Sequence, residues 1–129
     1  MADYAEKVLF IGGGRWSRVL LKVFLNKTNK STIFYVYSNH MAYKMTSWIN
    51  KIGFGDRISV VKNFPNLRQL EFSCAVIVNR ARHHKKYAAL ALRAGIPVLI
   101  EKPTTLSLKD TNSLWEIARS SNTFFMFDC

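Results

Sequence analysis

The chain has 129 residues, of which 49% are hydrophobic and 21% are charged. That length predicts a single domain large enough to bury a core. It contains no apolar run of about 18 residues, which excludes a predicted membrane-spanning helix. The N-terminus lacks the basic and apolar segments of a secretory signal. The cysteines, Cys74 and Cys129, lack metal-ligand spacing, so we expect no zinc site, no disulfide framework and a cytoplasmic setting.

The formal charge of +11 comes from 19 Lys and Arg against eight Asp and Glu. It leaves three partners open: nucleic acid, a phosphorylated ligand or an acidic protein surface. The densest basic cluster is the run Arg-Ala-Arg-His-His-Lys-Lys at 80–86, whose ordinary interpretation is a solvated helix start. No zinc module, basic amphipathic helix or aromatic RNA-binding pattern accompanies the charge, so nucleic-acid binding is disfavoured.

An apolar strand, three glycines and a helical pattern follow one another near the N-terminus. Val8–Ile11 is a predicted buried strand, and the spacing Gly12-x-Gly14-x-x-Ser17 is typical of a dinucleotide-binding turn. Gly12 would turn the chain sharply, Gly14 would let a pyrophosphate approach the main chain, and Ser17 would let the helix pack close to the strand. An ordinary glycine-rich turn is the alternative. The whole segment from Gly12 through Gly13 and Gly14 to Ser17 is the first candidate cofactor site.

The first helix is predicted over residues 15–26. Helical spacing predicts a buried stripe of Trp16, Val19, Leu20, Val23 and Phe24. Trp16 and its neighbour Arg15 lie in the first turn, so both could instead line the cofactor cleft.

The second strand, 32–37, ends at Ser38-Asn39-His40. NAD-binding domains of this kind carry an Asp or Glu here, which binds the ribose hydroxyls. Without an acid, Ser38, Asn39, His40 and Lys44 form a candidate pocket for a 2′-phosphate, which favours NADP over NAD. The other interpretation is that Ser38 or Asn39 only caps the following helix.

The rest of the chain continues the alternation of strands and helices. We predict strands at 58–61, 75–78, 97–100 and 123–127, and a helical turn at 67–70. A helix over 40–52, ended by Gly53 or Gly55, should place Met41, Met45, Trp48, Ile49 and Ile52 inward, and a helix over 85–94 should stop at Gly95. A last helix over 108–120, capped by Ser107 or Thr105, should pack through Leu114, Trp115, Ile117 and Ala118. This predicts an α/β fold, a Rossmann-type doubly wound parallel sheet of about six strands with helices on both faces. The glycine turn, Ser38-Asn39-His40, residues 79–84 and Glu101-Lys102-Pro103 then all follow strand ends at one edge.

At Glu101-Lys102-Pro103 the chain resembles a known family. His84, Gly95 and Glu101-Lys102-Pro103 match a spaced motif of the glucose–fructose oxidoreductase/inositol dehydrogenase family, whose glycine turn is similar to Gly12-Gly-Gly-Arg-Trp-Ser17. The resemblance covers nearly all of the chain. It implies the N-terminal NAD(P)-binding domain of an oxidoreductase that moves hydride between a nicotinamide and a carbonyl or hydroxyl carbon, for example of a sugar or cyclitol.

The resemblance also implies roles for the motif residues. Lys102 would be catalytic, polarising or protonating the reacting oxygen. Glu101 would hold ribose hydroxyls or orient Lys102, and Pro103 would fix the turn. His84, as part of the same motif, is a further candidate at the cofactor site.

Two departures from the family pattern leave a non-catalytic binding or regulatory module as the alternative. The family carries Thr-Pro after the fourth strand, where this chain has Asn79 and Arg80. Arg80 could contact a phosphate or acidic substrate, or obstruct the cofactor. The family's C-terminal domain, which holds the substrate pocket and usually the oligomer interface, is expected to be absent from residues 1–129. A homo-oligomer stays open.

Overall fold

Six strands carry the fold of this protein, which we describe from a computed structural model covering residues 6–102 and 107–127. They are β1 (Lys7–Ile11), β2 (Ile33–Tyr37), β3 (Ile58–Val61), β4 (Cys74–Ile77), β5 (Val98–Ile100) and β6 (Phe125–Phe127). All pair in parallel in one sheet of order β3-β2-β1-β4-β5-β6. The predicted doubly wound Rossmann-type sheet is therefore confirmed, and the order reverses direction between β1 and β4.

Helices cover both faces of this sheet. They are α1 (Arg15–Lys27), α2 (Ala42–Ile52), the single turn α3 (Leu67–Leu70), α4 (His84–Arg93) and α5 (Leu108–Ser120), with a 3₁₀ turn at Ala81–His83. The first core cluster joins β1 and β2 to α1 and α2 through Phe10, Leu21, Phe34 and Met45. The second joins Leu9, Ile77, Leu92 and Leu114 beneath α4 and α5. Within the described residues no helix is long and apolar enough to cross a membrane.

The predicted buried stripe of α1 is wrong by one residue. Trp16, Val19 and Val23 are 64%, 42% and 48% exposed, while Ser17, Leu21 and Leu25 are buried and Leu20 and Phe24 are half-buried. Apolar residues occupy two adjacent stripes of this helix, so periodicity alone does not determine which stripe is buried. The close approach of the small Ser17 side chain to the sheet determines it, because the helix then turns Leu21 and Leu25 inward.

The other helix predictions hold with one exception. Gly53 ends α2, and Ser107 caps α5 by accepting a hydrogen bond from the Asp110 amide at 3.1 Å; Thr105 lies outside the described residues. Trp115 is 50% exposed rather than packed in the core. Its ring instead lies against the edge strand, 4.7 Å from the ring of Phe125.

Arg57 is a buried cation that forms no ion pair with a carboxylate in the part of the chain that the structure describes. It is 8% exposed and donates hydrogen bonds to the carbonyls of Leu25, Asn29 and Thr32 at 3.2, 2.8 and 3.2 Å, and to the Thr28 hydroxyl at 3.1 Å. Three of these acceptors lie at the C-terminal end of α1 or just after it, where carbonyls lack helical partners and carry partial negative charge. Arg57 thereby ties the end of α1 to the start of β3.

Candidate functional site

The loops that follow β1, β2, β4 and β5 meet at the carboxyl edge of the sheet. Adjacent strands run in register up to this edge, with Ile11 opposite both Tyr37 and Ile77. Backbone hydrogen bonds continue past the strands, from Gly12 to the Tyr37 carbonyl and from Glu101 to the Ile77 carbonyl. The strand order reverses here, and ligands of doubly wound sheets bind at such a point.

Gly12 is required by the fold itself. Its φ is +127°, and a Cβ there would lie 2.8 Å from the Asn79 nitrogen and the Val78 carbonyl carbon. An L side chain would therefore be strained and would collide with the backbone after β4. Gly12 makes the sharp turn that the sequence predicted and lets β1 and β4 come together at the edge.

Gly13 is required by the loop after β2. A Cβ at Gly13 would lie 2.7 Å from the Ser38 Oγ and 3.0 Å from the Met41 Cβ. Ser38 is buried, and its Oγ accepts a hydrogen bond from the Met41 amide at 3.1 Å. Ser38 thus shapes the entry to α2, as its capping interpretation predicted, while Asn39 and His40 beside it are exposed.

Gly14 differs from both, because the fold does not require it. A Cβ there would have no heavy atom within 4 Å, and the backbone at φ −86° and ψ −168° suits any residue. Gly14 is the N-cap of α1, with no side-chain cap hydrogen bond and no acid in the first turn. Uncapped N–H groups at a helix N-terminus attract an anion. The space beside Gly14 is therefore open and lies next to these uncapped N–H groups.

Two bulky side chains near the turn lie away from this space. Trp16 and Arg80 are exposed, and neither has an atom within 4 Å of the position that a Gly14 Cβ would take. Arg15, the chain neighbour of Gly14, is exposed as well.

Two buried polar atoms beside the turn lack a protein partner. They are the Ser17 Oγ, in the first turn of α1, and the Asn79 Oδ1, directly after β4. Buried polar atoms are nearly always hydrogen-bonded, so each exception asks for an explanation. Since the backbone of Asn79 adjoins Gly12, this unpaired oxygen belongs to the same edge as the open glycine turn.

His84 holds the loop that carries Asn79. Its ring is 1% exposed, and its Nε2 lies 2.7 Å from the Asn79 carbonyl oxygen. The residue begins α4, whose packing against the sheet fixes the ring. Its position makes His84 a support for the Asn79–Arg80 segment.

Three further residues that the sequence predicted for the site are described by the structure. Glu101 is half-buried after β5, and Lys102 next to it is exposed. Lys44 is exposed on α2 and lines a groove between α1 and α2. Pro103 lies outside the described residues.

An aromatic cluster supports the loop side of β2. Tyr37 contacts the rings of Phe64 and Tyr87 with centroid distances of 5.1 and 5.9 Å. The hydrogen bond with the Tyr87 side chain, helped by burial, raises the pKa of Tyr37 above its ordinary value, although Lys86 opposes the shift. No group of three or more metal-ligating side chains is found across residues 6–102 and 107–127.

The sequence analysis missed two supports of this site. The contact of Gly13 with Ser38 was not predicted, because it joins loops 25 residues apart in a way that no local pattern reports. The pairing of Tyr37 with Tyr87 was missed for the same reason. For the contact between Gly13 and Ser38, the only signal in the sequence was that Gly13 is itself a small residue, between two glycines with assigned roles.

The model of the Gfo/Idh/MocA oxidoreductase family, which describes an NAD-binding Rossmann fold, matches residues 6–128. The chain belongs to this family. The resemblance stated from the sequence is thereby confirmed at the level of the family, and the matched region is its NAD-binding Rossmann domain.

One protein is similar to this chain in sequence, and two solved structures are similar to it in fold. The chain is 30% identical over 113 residues to the uncharacterized oxidoreductase YhhX of Escherichia coli (strain K12), covering 86% of this chain and 31% of that protein. GenD2 from gentamicin A biosynthesis, solved in complex with NAD, has a TM-score of 0.79 at 21% identity, over 95% of this chain and 34% of that one. The 3-ketoreductase KijD10 of Actinomadura kijaniata, solved with NADP and TDP-benzene, has a TM-score of 0.76 at 21% identity, over 97% and 37%. The chain thus spans about a third of the length of these relatives.

Proposed function

We propose that this domain binds a nicotinamide dinucleotide across the carboxyl edge of its sheet, with the diphosphate over the Gly12–Gly14 turn. The open space before Gly14 carries the proposal, since nothing in the fold requires a glycine there. The uncapped start of α1 supplies N–H donors and a partial positive charge for the phosphates. The residues present therefore fit the cofactor.

The unpaired oxygens extend this fit. We assign the Asn79 Oδ1 as an acceptor for a donor group of the bound cofactor, and His84 as the residue that holds Asn79 in place through its carbonyl. Arg80 is exposed beside it and supplies positive charge toward a phosphate. Ser17, Arg15 and Trp16 form the first turn of α1 beneath and beside the diphosphate.

NADP is the proposed preference over NAD. The end of β2 carries Asn39 and His40, both exposed, and no carboxylate that would repel a 2′-phosphate. Ser38 contributes through its hydroxyl, whose oxygen already accepts the Met41 amide. Lys44 adds a cation on the next helix.

Hydride transfer is proposed for the protein in which this domain acts, with a carbonyl or hydroxyl carbon of a sugar or cyclitol as the reacting centre. The bound nicotinamide supplies the hydride chemistry. Lys102 is the proposed proton donor to the reacting oxygen, and Glu101, half-buried beside it, orients that lysine or holds a ribose. Replacing Lys102 with Met should leave dinucleotide affinity unchanged while turnover on a sugar and cyclitol panel falls; Lys109→Met, on α5, is the matched control.

Isothermal titration with NADP and NAD tests the binding proposal. We expect saturable binding of both, tighter for NADP. Asn39→Asp should shift the preference toward NAD, because it places a carboxylate at the end of β2, whereas Asn112→Asp on α5 makes the same change at an exposed position far along the chain and should not. Failure of both dinucleotides to bind at millimolar concentration would refute the proposed site, and an unchanged preference in Asn39→Asp would refute the role of this loop.

A further inference from the structure

The first 49 residues of the fold contain cations but no acids. From Lys7 to Gly55 there are eight Lys and Arg and not one Asp or Glu. This segment comprises β1, α1, β2 and α2, and so two of the six strands and the two long helices that pack on the first core cluster. Eight of the 19 Lys and Arg of the chain therefore lie in a segment that contains no carboxylate to offset them.

A groove between α1 and α2 collects part of this charge. Its lining consists of Arg18 from α1 and Tyr43, Lys44, Ser47, Trp48 and Lys51 from α2. Tyr43 is 86% exposed, and Trp48 is half-buried against the first core cluster. The groove thus offers three cations, two aromatic rings and a hydroxyl along the length of α2.

The groove cations have no carboxylate to neutralise them among the described residues. The two ion pairs found there join Lys85 to Asp110 and Arg119 to Glu116, and all four residues belong to α4 or α5. Like charges held together on a surface repel one another, and a polyanion bound across them relieves that repulsion.

We propose that the groove between α1 and α2 binds single-stranded nucleic acid. Proteins that bind single strands combine a cationic groove, which follows the phosphates, with aromatic side chains on which bases stack. Arg18, Lys44 and Lys51 supply the first property, and Tyr43 and Trp48 supply the second. The sequence analysis disfavoured nucleic acid because no zinc module, basic amphipathic helix or aromatic RNA-binding pattern accompanies the charge. The groove is not such a linear motif, since Arg18 lies 25 residues or more from the α2 residues that share it.

Other occupants fit the groove less well. A second copy of the chain carries the same +11 charge and would be repelled. An acidic protein segment would pair with the cations but would gain little from an aromatic ring as exposed as Tyr43. The groove extends beyond the proposed dinucleotide site: Lys44, in the first turn of α2, is common to both, whereas Lys51 lies in the last turn of α2, away from the carboxyl edge of the sheet where α2 begins.

Fluorescence anisotropy with a labelled 20-nucleotide oligo-dT and a matching oligo-U tests the proposal in the full chain. We expect saturable binding whose affinity falls steeply with salt. The double variant Arg18→Glu/Lys51→Glu should weaken binding at least tenfold at low salt and reduce the salt slope by about one unit per lost phosphate contact. Tyr43→Ala should weaken binding at constant salt slope, because it removes stacking and no charge. The control, Arg93→Glu/Lys109→Glu, makes the same charge change on α4 and α5.

Each alternative has its own result. Equal losses in the two charge-reversed double variants would overturn the groove and leave only a diffuse effect of net charge. Poly-glutamate that binds as tightly as oligo-dT, with Tyr43→Ala unaffected, would overturn nucleic acid in favour of an acidic protein. Displacement of the oligonucleotide by saturating NAD, which has no 2′-phosphate for Lys44, would overturn a separate groove, because the strand would then occupy the dinucleotide site. Circular dichroism melting of each variant confirms that it is folded, and none of the three substitutions that define the groove test (Arg18→Glu, Lys51→Glu and Tyr43→Ala) changes a proposed dinucleotide contact.

Discussion

Replacing Gly14 with Ala should abolish most dinucleotide affinity while leaving the domain folded. Of the three glycines in the turn, Gly12 is required by its φ of +127° and by the backbone after β4, and Gly13 by Ser38. Only Gly14 has room for a methyl group. A methyl group there enters the space that we assign to the diphosphate, so the substitution separates binding from folding.

The expected magnitudes follow from the structure. The added methyl would hold the diphosphate away from the uncapped N–H groups of α1, and hydrogen bonds to a charged group are worth about 1.5–3 kcal/mol. That corresponds to an affinity loss of roughly 10- to 150-fold. The effect on folding should stay within about 1 kcal/mol, because Ala is a poorer N-cap than Gly but reduces the entropy of the unfolded chain.

Gly12→Ala is the contrasting variant. Its Cβ would lie 2.8 Å from backbone atoms of Val78 and Asn79 in a left-handed conformation. Strain of this kind costs about 1–3 kcal/mol before the collision is counted. We therefore expect a clear loss of stability for Gly12→Ala and almost none for Gly14→Ala.

Thermal unfolding followed by circular dichroism, and isothermal titration with NADP, measure the two quantities for each variant. If Gly14→Ala is folded and binds NADP as tightly as the unchanged protein, the diphosphate does not lie over this turn and the reasoning fails. If Gly14→Ala unfolds, the open space read from the structure is wrong.

Two further variants test the framework that holds the site. Arg57→Met should destabilise the domain by about 3 kcal/mol in urea unfolding, because the buried carbonyls of Leu25, Asn29 and Thr32 would lose their hydrogen-bond donor. Arg68→Met, at an exposed arginine, is the control. Equal stability of the two variants would show that the hydrogen bonds of Arg57 do not stabilise the fold. Tyr87→Phe should lower the pKa of Tyr37 toward its ordinary value of 10.0, since the hydrogen bond that raises it is lost. A raised pKa of Tyr37 in the folded state stabilises the protein below pH 10, and this stabilisation is lost as the pH rises through the pKa of the folded state. The difference in unfolding free energy between the parent and Tyr87→Phe should therefore shrink at alkaline pH. Ultraviolet titration of tyrosinate checks the pKa, and an unshifted Tyr37 in Tyr87→Phe would contradict the assigned hydrogen bond.

Local patterns were sufficient for the elements and for the edge where they meet. The strand at Ile58–Val61 and the helices at Leu67–Leu70 and Leu108–Ser120 have the predicted bounds, because turn residues and caps such as Asn66 and Ser107 mark them in the sequence. The convergence of four loops followed from topology, since parallel strands place their carboxyl ends together.

Contacts between distant segments could not be predicted in the same way. The inward face of α1 depends on how closely Ser17 approaches the sheet, and the adjacent apolar stripe through Trp16, Val19 and Val23 satisfied the same periodicity. The hydrogen bonds of Arg57 and the collision that a Gly13 side chain would meet join residues 25 to 32 positions apart. Such contacts depend on the packed structure and leave no mark in a single sequence.

The absence of acids unites features of the first half that otherwise look separate. The loop after β2 lacks the usual ribose-binding acid, and no carboxylate of the described residues pairs with the groove cations on α1 and α2. Arg57, which follows the acid-free segment and Asp56, pairs its buried guanidinium with carbonyl oxygens. The acid-free segment from Lys7 to Gly55 keeps its positive potential, and low-salt association with any phosphate-bearing ligand should be faster as a result. The proposed 2′-phosphate preference and the proposed nucleic-acid groove would therefore both follow from one charge distribution, and they differ in where the phosphates bind.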